Sequence, residues 1–196
     1  MERQIDFKGD ISTYFSNVSA TLAQVNRADV DEAMNALMEA YKRGSAIYCF
    51  GNGGSAATAS HLMNDFNKGI SYDLDKKFNL YCLNDNVAML TALANDVGYP
   101  YVFSKQLEGK LKEGDLIMAI SGSGNSVNVI QAVEYAHTCG CRVIGITGYD
   151  GGKLGKLSDY HMHVPSFDMQ IVEDVHMIFN HMMMKLFCQA LGSLND

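Results

Sequence analysis

The sequence predicts a doubly wound α/β domain, in which helices cover both faces of a mainly parallel sheet. Three observations carry this prediction. Short apolar runs alternate with longer segments of helical periodicity, and two of the runs end on Gly/Ser-rich loops that open a helix. In addition, 196 residues with 47% hydrophobic content suffice for the core of one such domain. We therefore expect a single domain over residues 1–196.

Two amphipathic helices precede the first strand. Apolar residues recur at helical spacing from Ile5 to Val25 and again from Asp29 to Arg43. Because these helices come before strands and helices begin to alternate, we expect residues 1–44 to lie outside the α/β core and to serve in oligomerisation. The α/β core is then expected over residues 45–196.

Strands and helices alternate through the rest of the chain. The five predicted strands have the sequences "AIYCF", "FNLYCL", "DLIMAI", "RVIGIT" and "DYHMHVP". Between them, helices are predicted over residues 54–68, around "NVAMLTALA" and over residues 125–139. A long helix from Asp168 to Leu191 follows the last strand. This order is typical of parallel strands joined by crossover helices.

Charge and composition exclude several classes of partner. The net charge of −7 argues against binding to nucleic acid or to a membrane surface, because most of the protein surface would repel a polyanion. The longest apolar runs are shorter than the ~18 residues of a membrane-spanning helix. The five cysteines are odd in number, and no signal-peptide pattern opens the chain. We expect a reduced, cytoplasmic protein that holds any anionic ligand with local groups.

The two Gly/Ser loops, in "YCFGNGGSAATA" and "MAISGSGNSVNV", repeat one arrangement of strand, loop and helix start. Such a loop presents unpaired backbone N–H groups and the positive end of a helix dipole, so it attracts an anion. The second loop combines two glycines with the hydroxyls of Ser121, Ser123 and Ser126 and contains no cation. This combination suits a phosphate monoester.

A dinucleotide-binding fold is the competing interpretation. Gly51, Gly53 and Ala56 match the G-x-G-x-x-G/A pattern. The acidic residue that binds ribose should follow about 20 residues later, at the end of the second strand. The nearest candidate, Asp85, follows a spacer of about 30 residues, and the second loop would have no role. We therefore favour a site without a nucleotide cofactor; two tight turns that bind nothing are the other alternative.

Two predicted helices carry titratable side chains at suggestive spacing. His61 and Asp65 are four residues apart, so their side chains point the same way. Glu173 and His181 lie two turns apart on the last helix, with His176 between them. Two imidazoles and two carboxylates could form either a metal site or an acid/base set, and the residues alone leave both open. For His176, as for His137, we favour a solvated or hydrogen-bonded core histidine over a ligand.

With these motifs placed, the chain resembles the sugar isomerase (SIS) domain family and, within it, the phosphoheptose isomerases. The resemblance covers nearly the whole chain and rests on "GNGGSAA", "LTALANDVGY", "VFSKQL", "GDLIMAISGSGNSVNVI", "GITGYDGGKL", "VPS" and "VEDVHMIFNH". It implies the SIS fold, aldose–ketose isomerisation of a sugar phosphate such as sedoheptulose 7-phosphate, and a homotetramer with sites shared between subunits.

The resemblance also implies roles for individual residues. The phosphate would be bound by hydroxyls of Ser55, Ser121, Ser123 and Ser126. Other substrate contacts would come from Asn52, Gly53, Asp96, Gly122 and Glu173. Protons would be exchanged by Asp65 and His181. Zinc or a similar divalent ion would be held by His61, Asp65, Glu173 and His181.

Three positions depart from the family pattern. Asp65 stands where the isomerases typically have Glu, Glu173 where they have Gln, and Gly69 where they have Arg. The shorter carboxylate retracts the base by one methylene, a displacement that can cost about a hundredfold in rate. The added charge of Glu173 favours a cation. The alternative is a non-catalytic SIS protein that senses a sugar phosphate or docks on a protein partner, as the replication-initiator-associating members do.

Overall fold

The computed structural model describes residues 5–193 and contains a sheet of five parallel strands in the order β2-β1-β3-β4-β5. The ends of the predicted domain, residues 1–4 and 194–196, lie outside the described residues. The strands are β1 (Ile47–Phe50), β2 (Leu80–Cys82), β3 (Leu116–Ser121), β4 (Arg142–Thr147) and β5 (Tyr160–His163). Each coincides with one of the five predicted runs, with β3 extending one residue further to Ser121, so the parallel sheet is confirmed.

The helices follow the predicted alternation, with two additions. They are α1 (Lys8–Gln24), α2 (Arg27–Arg43), α3 (Gly54–Asn64), α4 (Val87–Asp96), α5 (Ser104–Leu107), α6 (Val127–Thr138), α7 (Gly152–Leu157) and α8 (Met169–Leu191). Helices α5 and α7 were not predicted, because four and six residues are too few to display a helical period. No helix within residues 5–193 combines the length and apolarity needed to cross a bilayer.

Helix ends coincide with capping residues. The Asn26 side chain accepts a hydrogen bond from the Ala28 N–H at 3.0 Å, and α2 ends at Gly44 in the left-handed conformation. At α8, the Asp168 carboxylate accepts from two N–H groups of the first turn, and Gly192 again provides a left-handed end. These caps fix where the two longest amphipathic segments of the core begin and end.

Separate hydrophobic cores cover the two faces of the sheet, as a doubly wound fold requires. On one face, α2, α3 and α8 pack against the strands, with Phe66, Phe78 and Phe187 in mutual ring contact. On the other face, α5, α6 and α7 surround Phe50 and Phe103, whose ring centroids are 4.9 Å apart. All four residues of β1 are buried, because both faces of this central strand are covered.

The two leading helices differ in their relation to the core. Five residues of α2 are buried, and the helix packs over β5 on the first face of the sheet. The expected boundary at residue 44 therefore does not separate oligomerisation helices from the core, because α2 belongs to the core. Helix α1 is more peripheral. It contacts α8, where the Tyr14 hydroxyl donates to Asp174 at 2.7 Å, yet Phe15 is 66% exposed.

The side of the sheet on which the chain adds its next strand changes between β1 and β3. Starting from β1, the chain first adds β2 on one side and then β3 on the other. At such a switch point the loops that follow the two central strands diverge, which leaves a crevice at the carboxyl edge of the sheet. Both Gly/Ser loops lie at this point, because one follows β1 and the other follows β3.

Candidate active site

A cavity of about 120 Å³ lies between the two Gly/Ser loops. Its lining comes from these loops and from the start of α8, and comprises Asn52, Ser55, Ile120, Ser121, Gly122, Ser123, Ser126, Met169 and Glu173. Among residues 5–193, no lysine, arginine or histidine lines it. Of the residues predicted to bind phosphate and substrate, only Gly53 and Asp96 are outside this lining. Asp96 is exposed at the end of α4 and accepts a hydrogen bond from Asn95.

The serine loop is arranged as the sequence predicts for an anion site. The Ser121 and Ser126 hydroxyls are 3.2 Å apart, and the N–H of Asn125 donates to the Ser123 hydroxyl at 3.3 Å. Ser126 is the N-cap residue of α6 and makes no side-chain capping bond, so its hydroxyl is not used by the helix. The loop therefore presents three hydroxyls at the positive end of a helix dipole.

The loop is held in shape by the first turn of α7 and by Gly151 just before it. The N–H of Leu154 donates to the Gly124 carbonyl, and the N–H of Lys153 donates to the Asn125 side chain. Gly124 has a φ of +65°, and a Cβ at this position would overlap the Gly151 carbonyl. The motif "GITGYDGGKL" thus braces the anion site, a role that no local sequence pattern indicates.

The side chain of Asn52 is fixed by two residues that the sequence analysis did not single out. Asn52 and Asn128 exchange two amide hydrogen bonds of 2.8 and 2.9 Å, and the Tyr99 hydroxyl donates to the Asn52 carbonyl oxygen at 2.8 Å. A further asparagine, Asn84, bonds both backbone groups of Gly51. Asn128 lies in "GNSVNV" and Tyr99 ends "LTALANDVGY". No local pattern indicates that either contacts Asn52, because the three residues come from distant segments.

The carboxylate of Glu173 belongs to the cavity and lies against the start of α3. A Cβ at Gly54 would overlap both carboxylate oxygens, so a larger residue there would displace the Glu173 carboxylate. This position places a negative charge at the positive end of α3, which is favourable. It also separates Glu173 from the remaining predicted metal ligands.

Those three ligands form a compact cluster. The donor atoms of His61, Asp65 and His181 all lie within 4.8 Å of one another, and Glu173 is not part of this group among the described residues. The Nε2 atom of His61 is 3.3 Å from the Oδ2 atom of Asp65 and 3.3 Å from the Nε2 atom of His181. Both histidines are exposed, whereas Asp65 is only 5% exposed.

These separations fit a metal ion. Donor atoms on a tetrahedral ion with bonds of about 2.0–2.1 Å are about 3.3 Å apart, which matches both measured separations. Two imidazoles and one carboxylate are also a ligand set of catalytic zinc sites, which keep the fourth position open. The cluster can therefore either hold a divalent ion or act as an acid/base pair with His61 as a hydrogen-bonding neighbour.

The helix that carries His61 changes its winding at Asp65. The predicted helix over residues 54–68 is regular only to Asn64, and Asp65–Ile70 forms a π-helical turn. Such turns often occur at functional sites. Within it, Gly69 packs against α8, where a Cβ would lie 2.6 Å from the Met184 Cε atom. The end of the Met184 side chain thus occupies the space that a larger residue at position 69 would need.

The cavity and the cluster are connected by one pair of helices. Helices α3 and α8 are in contact, with Gly54 and Glu173 at the cavity and His61 and His181 about two turns further along each helix. Eight residues of helix correspond to about 12 Å. An elongated ligand with an anionic group at one end can therefore reach both places.

Three other histidines are structural. His161 and His163 are half-buried and bond to the Thr147 hydroxyl and the Tyr149 carbonyl, respectively. His176 is 1% exposed, as expected for a core histidine, and neither ring nitrogen has a hydrogen-bond partner among the described residues. Burial lowers the pKa of His176 to about 4.

We expect the buried His176 to make folding stability depend on pH. Its folded pKa of about 4 is below the ordinary value of 6.5, so the unfolded chain binds the additional proton between these values and stability falls as the pH is lowered through them. The loss by pH 4 is up to about 3 kcal/mol. Urea unfolding at fixed protein concentration should show a weaker pH dependence for His176→Phe. Parallel pH curves for the variant and the wild type would contradict this.

Comparison with known proteins gives one family. The SIS domain model matches residues 13–148. The phosphoheptose isomerase of Aliarcobacter butzleri is 36% identical to this chain, over 89% of each of the two chains. The phosphoheptose isomerase of Aneurinibacillus thermoaerophilus is also 36% identical, over 83% of this chain and 81% of the relative. The solved phosphoheptose isomerase structure from Neisseria gonorrhoeae has a TM-score of 0.86 and 28% identity, over 94% of this chain and 100% of that chain.

The solved phosphoheptose isomerase structure from Francisella tularensis is similar to the same degree, with a TM-score of 0.87 and 26% identity over 94% of this chain and 100% of that chain. The family model and the relatives agree, and the chain belongs to the SIS domain family.

Proposed function

We propose that this protein is a phosphosugar isomerase that interconverts a ketose phosphate and an aldose phosphate. The substrate we propose is sedoheptulose 7-phosphate, with glycero-manno-heptose 7-phosphate as the product, because the relatives of 36% identity are phosphoheptose isomerases. The observation that carries this proposal is that helices α3 and α8 connect the cavity at the cation-free serine loop to the His/Asp/His cluster. One end of the substrate would be anchored while the other end reacts.

Substrate anchoring would use the groups that are already fixed. The phosphate would accept hydrogen bonds from the serine loop and from Ser55, which is buried in the first turn of α3. Asn52 would contact the sugar chain, since one N–H of its amide is not used by Asn128. Because these donors are held by the surrounding fold, binding would require little reorganisation.

Isomerisation would use Asp65 and His181. Asp65 would take a proton from C1 of the ketose while His181 protonates the C2 oxygen, which gives an enediol. A proton then returns to C2 and the C1 hydroxyl loses its proton, which gives the aldose. Asp65 is buried and close to both histidines, so its carboxylate would be held in place during the proton transfer.

The metal we propose is zinc or a similar divalent ion, held by His61, Asp65 and His181. Zinc, when bound, would supply polarisation of the sugar oxygens. Glu173 would be a ligand only after its carboxylate leaves Gly54. No nucleotide cofactor is proposed, because the Gly/Ser loops are accounted for by a phosphate monoester.

We expect protein purified without chelators to contain one divalent ion per chain, because the His61 Nε2 atom already has tetrahedral spacing to the Asp65 Oδ2 atom and to the His181 Nε2 atom. The measurement is elemental analysis, with His61→Ala as the variant and His137→Ala as the control. His137 is an exposed histidine on α6 that pairs with Asp159 at 3.3 Å, far from the cluster in sequence. If wild-type protein contains no ion and its activity does not respond to added zinc, the cluster is an acid/base set and not a metal site.

The assembly we propose is a cytoplasmic homotetramer. Large apolar side chains are exposed on α1 and along α4, where Phe15 and Val87 are 66% and 67% exposed, and α4 has no buried residue. Surfaces of this kind are usually covered by another subunit. Light scattering at micromolar protein should give the mass of four chains. A monomer would contradict both the assembly and a site shared between subunits.

One experiment tests the function most directly. Purified protein is incubated with sedoheptulose 7-phosphate and with shorter ketose phosphates, with and without zinc, in deuterated solvent. We expect aldose product and deuterium at the exchanged carbon with the seven-carbon substrate. Protein that binds sugar phosphate but exchanges no C1 proton would overturn the enzyme and support the alternative, a non-catalytic sensor of sugar phosphates or a docking protein.

A further inference from the structure

Asn180 lies directly before His181 on α8 but points into the protein. Its exposed fraction is 0%, and its Nδ2 atom donates a hydrogen bond of 2.8 Å to the Oδ2 atom of Asp65. The Asn180 Oδ1 atom has no hydrogen-bond partner among residues 5–193. An asparagine that is this deeply buried and only partly satisfied is unfavourable for stability, which indicates that its remaining hydrogen bond has a function.

The orientation of this amide follows from chemistry. A carboxylate accepts hydrogen bonds and does not donate them, so only the NH₂ group of Asn180 can face Asp65. The same Oδ2 atom is 3.3 Å from the His61 Nε2 atom. The other oxygen, Oδ1, has one long contact of 3.4 Å with the Nδ2 atom of Asn64, whose side chain is exposed. The two oxygens of Asp65 are therefore in different environments.

We propose that Asn180 is a positioning residue for Asp65. Its amide holds Oδ2 beside His61 and leaves Oδ1 as the oxygen that takes the substrate proton. This inference rests on the proposed isomerase function. It also explains how a base that is one methylene shorter than the family's usual glutamate can act. A short carboxylate that is held in one orientation stays closer to the substrate proton than one that rotates.

Helix geometry makes this arrangement possible. Adjacent residues on a helix point about 100° apart, so His181 can reach the solvent-facing cluster while Asn180 reaches the buried side of Asp65. Asp65 begins the π-helical turn and is buried between the two helices. The carboxylate is thus held from α8 on one side and by His61 of its own helix on the other.

The test is Asn180→Leu, which has a similar volume but no donor. We expect kcat to fall about tenfold or more, the size typical of losing a group that orients a metal ligand or catalytic residue, while KM changes less than about twofold because the phosphate site is untouched. Met183→Leu is the matched control, since Met183 is buried on the same helix within the core. It should leave both constants unchanged.

Non-additivity separates positioning from general damage. In the Asp65→Asn background, Asn180→Leu should have little further effect on kcat, because the group it positions is already lost. An equal further loss in that background, or an unchanged kcat in the folded single variant, would overturn the proposal. Asn180→Ser is the second variant if Leu does not fold, because its hydroxyl is too short to reach Asp65 and the same loss is expected.

A crystal structure of the variant supplies a readout that does not depend on activity. If Asn180 positions Asp65, the carboxylate should rotate away from the His61 Nε2 atom in Asn180→Leu. A carboxylate that keeps its orientation would overturn the inference. Wild-type protein that lacks isomerase activity would contradict the proposed function alone, and the rotation would still decide whether Asn180 positions Asp65.

Discussion

Asp65→Asn and His181→Ala are each expected to lower kcat/KM by at least the ~10²-fold typical of a lost general base or acid. The physical reason is that each variant removes a proton-transfer group and leaves the serine loop intact. Steady-state kinetics with sedoheptulose 7-phosphate measures the rate, and calorimetry on the inactive variants measures binding. Comparable binding with lost turnover supports the roles, whereas undiminished turnover in either variant would remove that residue from the chemistry.

Asp65→Glu is the companion variant and has a clear expectation. An extra methylene advances the carboxylate by about 1.5 Å, and the Asn180 amide is already 2.8 Å from Oδ2. The longer side chain would lose this hydrogen bond or press against the amide. We therefore expect activity to fall although the substitution restores the family's usual residue. A large gain in activity would mean that the site has drifted away from isomerisation.

Gly124→Ala is expected to have the second largest effect, on sugar-phosphate binding. Alanine is strained at a φ of +65°, and its Cβ would overlap the Gly151 carbonyl that helps brace the loop. Because the whole loop must shift, binding should weaken by more than the ~1.5–3 kcal/mol of a single hydrogen bond to a charged group. Calorimetric titration with sedoheptulose 7-phosphate provides the measurement.

Two control variants separate loop geometry from other effects. Ser123→Ala removes one hydroxyl and should weaken binding by only about 1.5–3 kcal/mol. Gly44→Ala has the same left-handed backbone strain at the end of α2, but a Cβ there would meet nothing within 4 Å. It should reduce stability without changing affinity. If Gly124→Ala binds like Gly44→Ala, the serine loop is not the phosphate site.

The fold could be predicted because its signals are local and repeated. Each parallel strand is an apolar run that is buried on both faces, and "AIYCF" shows this pattern without help from the rest of the chain. The same holds for the Gly/Ser loops, since their glycines and hydroxyls imply anion binding wherever a strand passes into a helix. By contrast, α2 was expected outside the core, because an amphipathic stripe indicates that a face is buried but not what buries it.

Within the site, the serine loop, the spacing of His61 and Asp65, and the presence of His181 on the last helix can all be recognised in the sequence. Which of these residues meet depends on how the helices pack. Glu173 lies at Gly54 in the cavity rather than with the three clustered ligands, and Asn180 contacts Asp65 across 115 positions of sequence. The reason is physical: helical periodicity specifies directions around one helix axis, whereas contacts between α3 and α8 depend on how the two helices pack against the sheet.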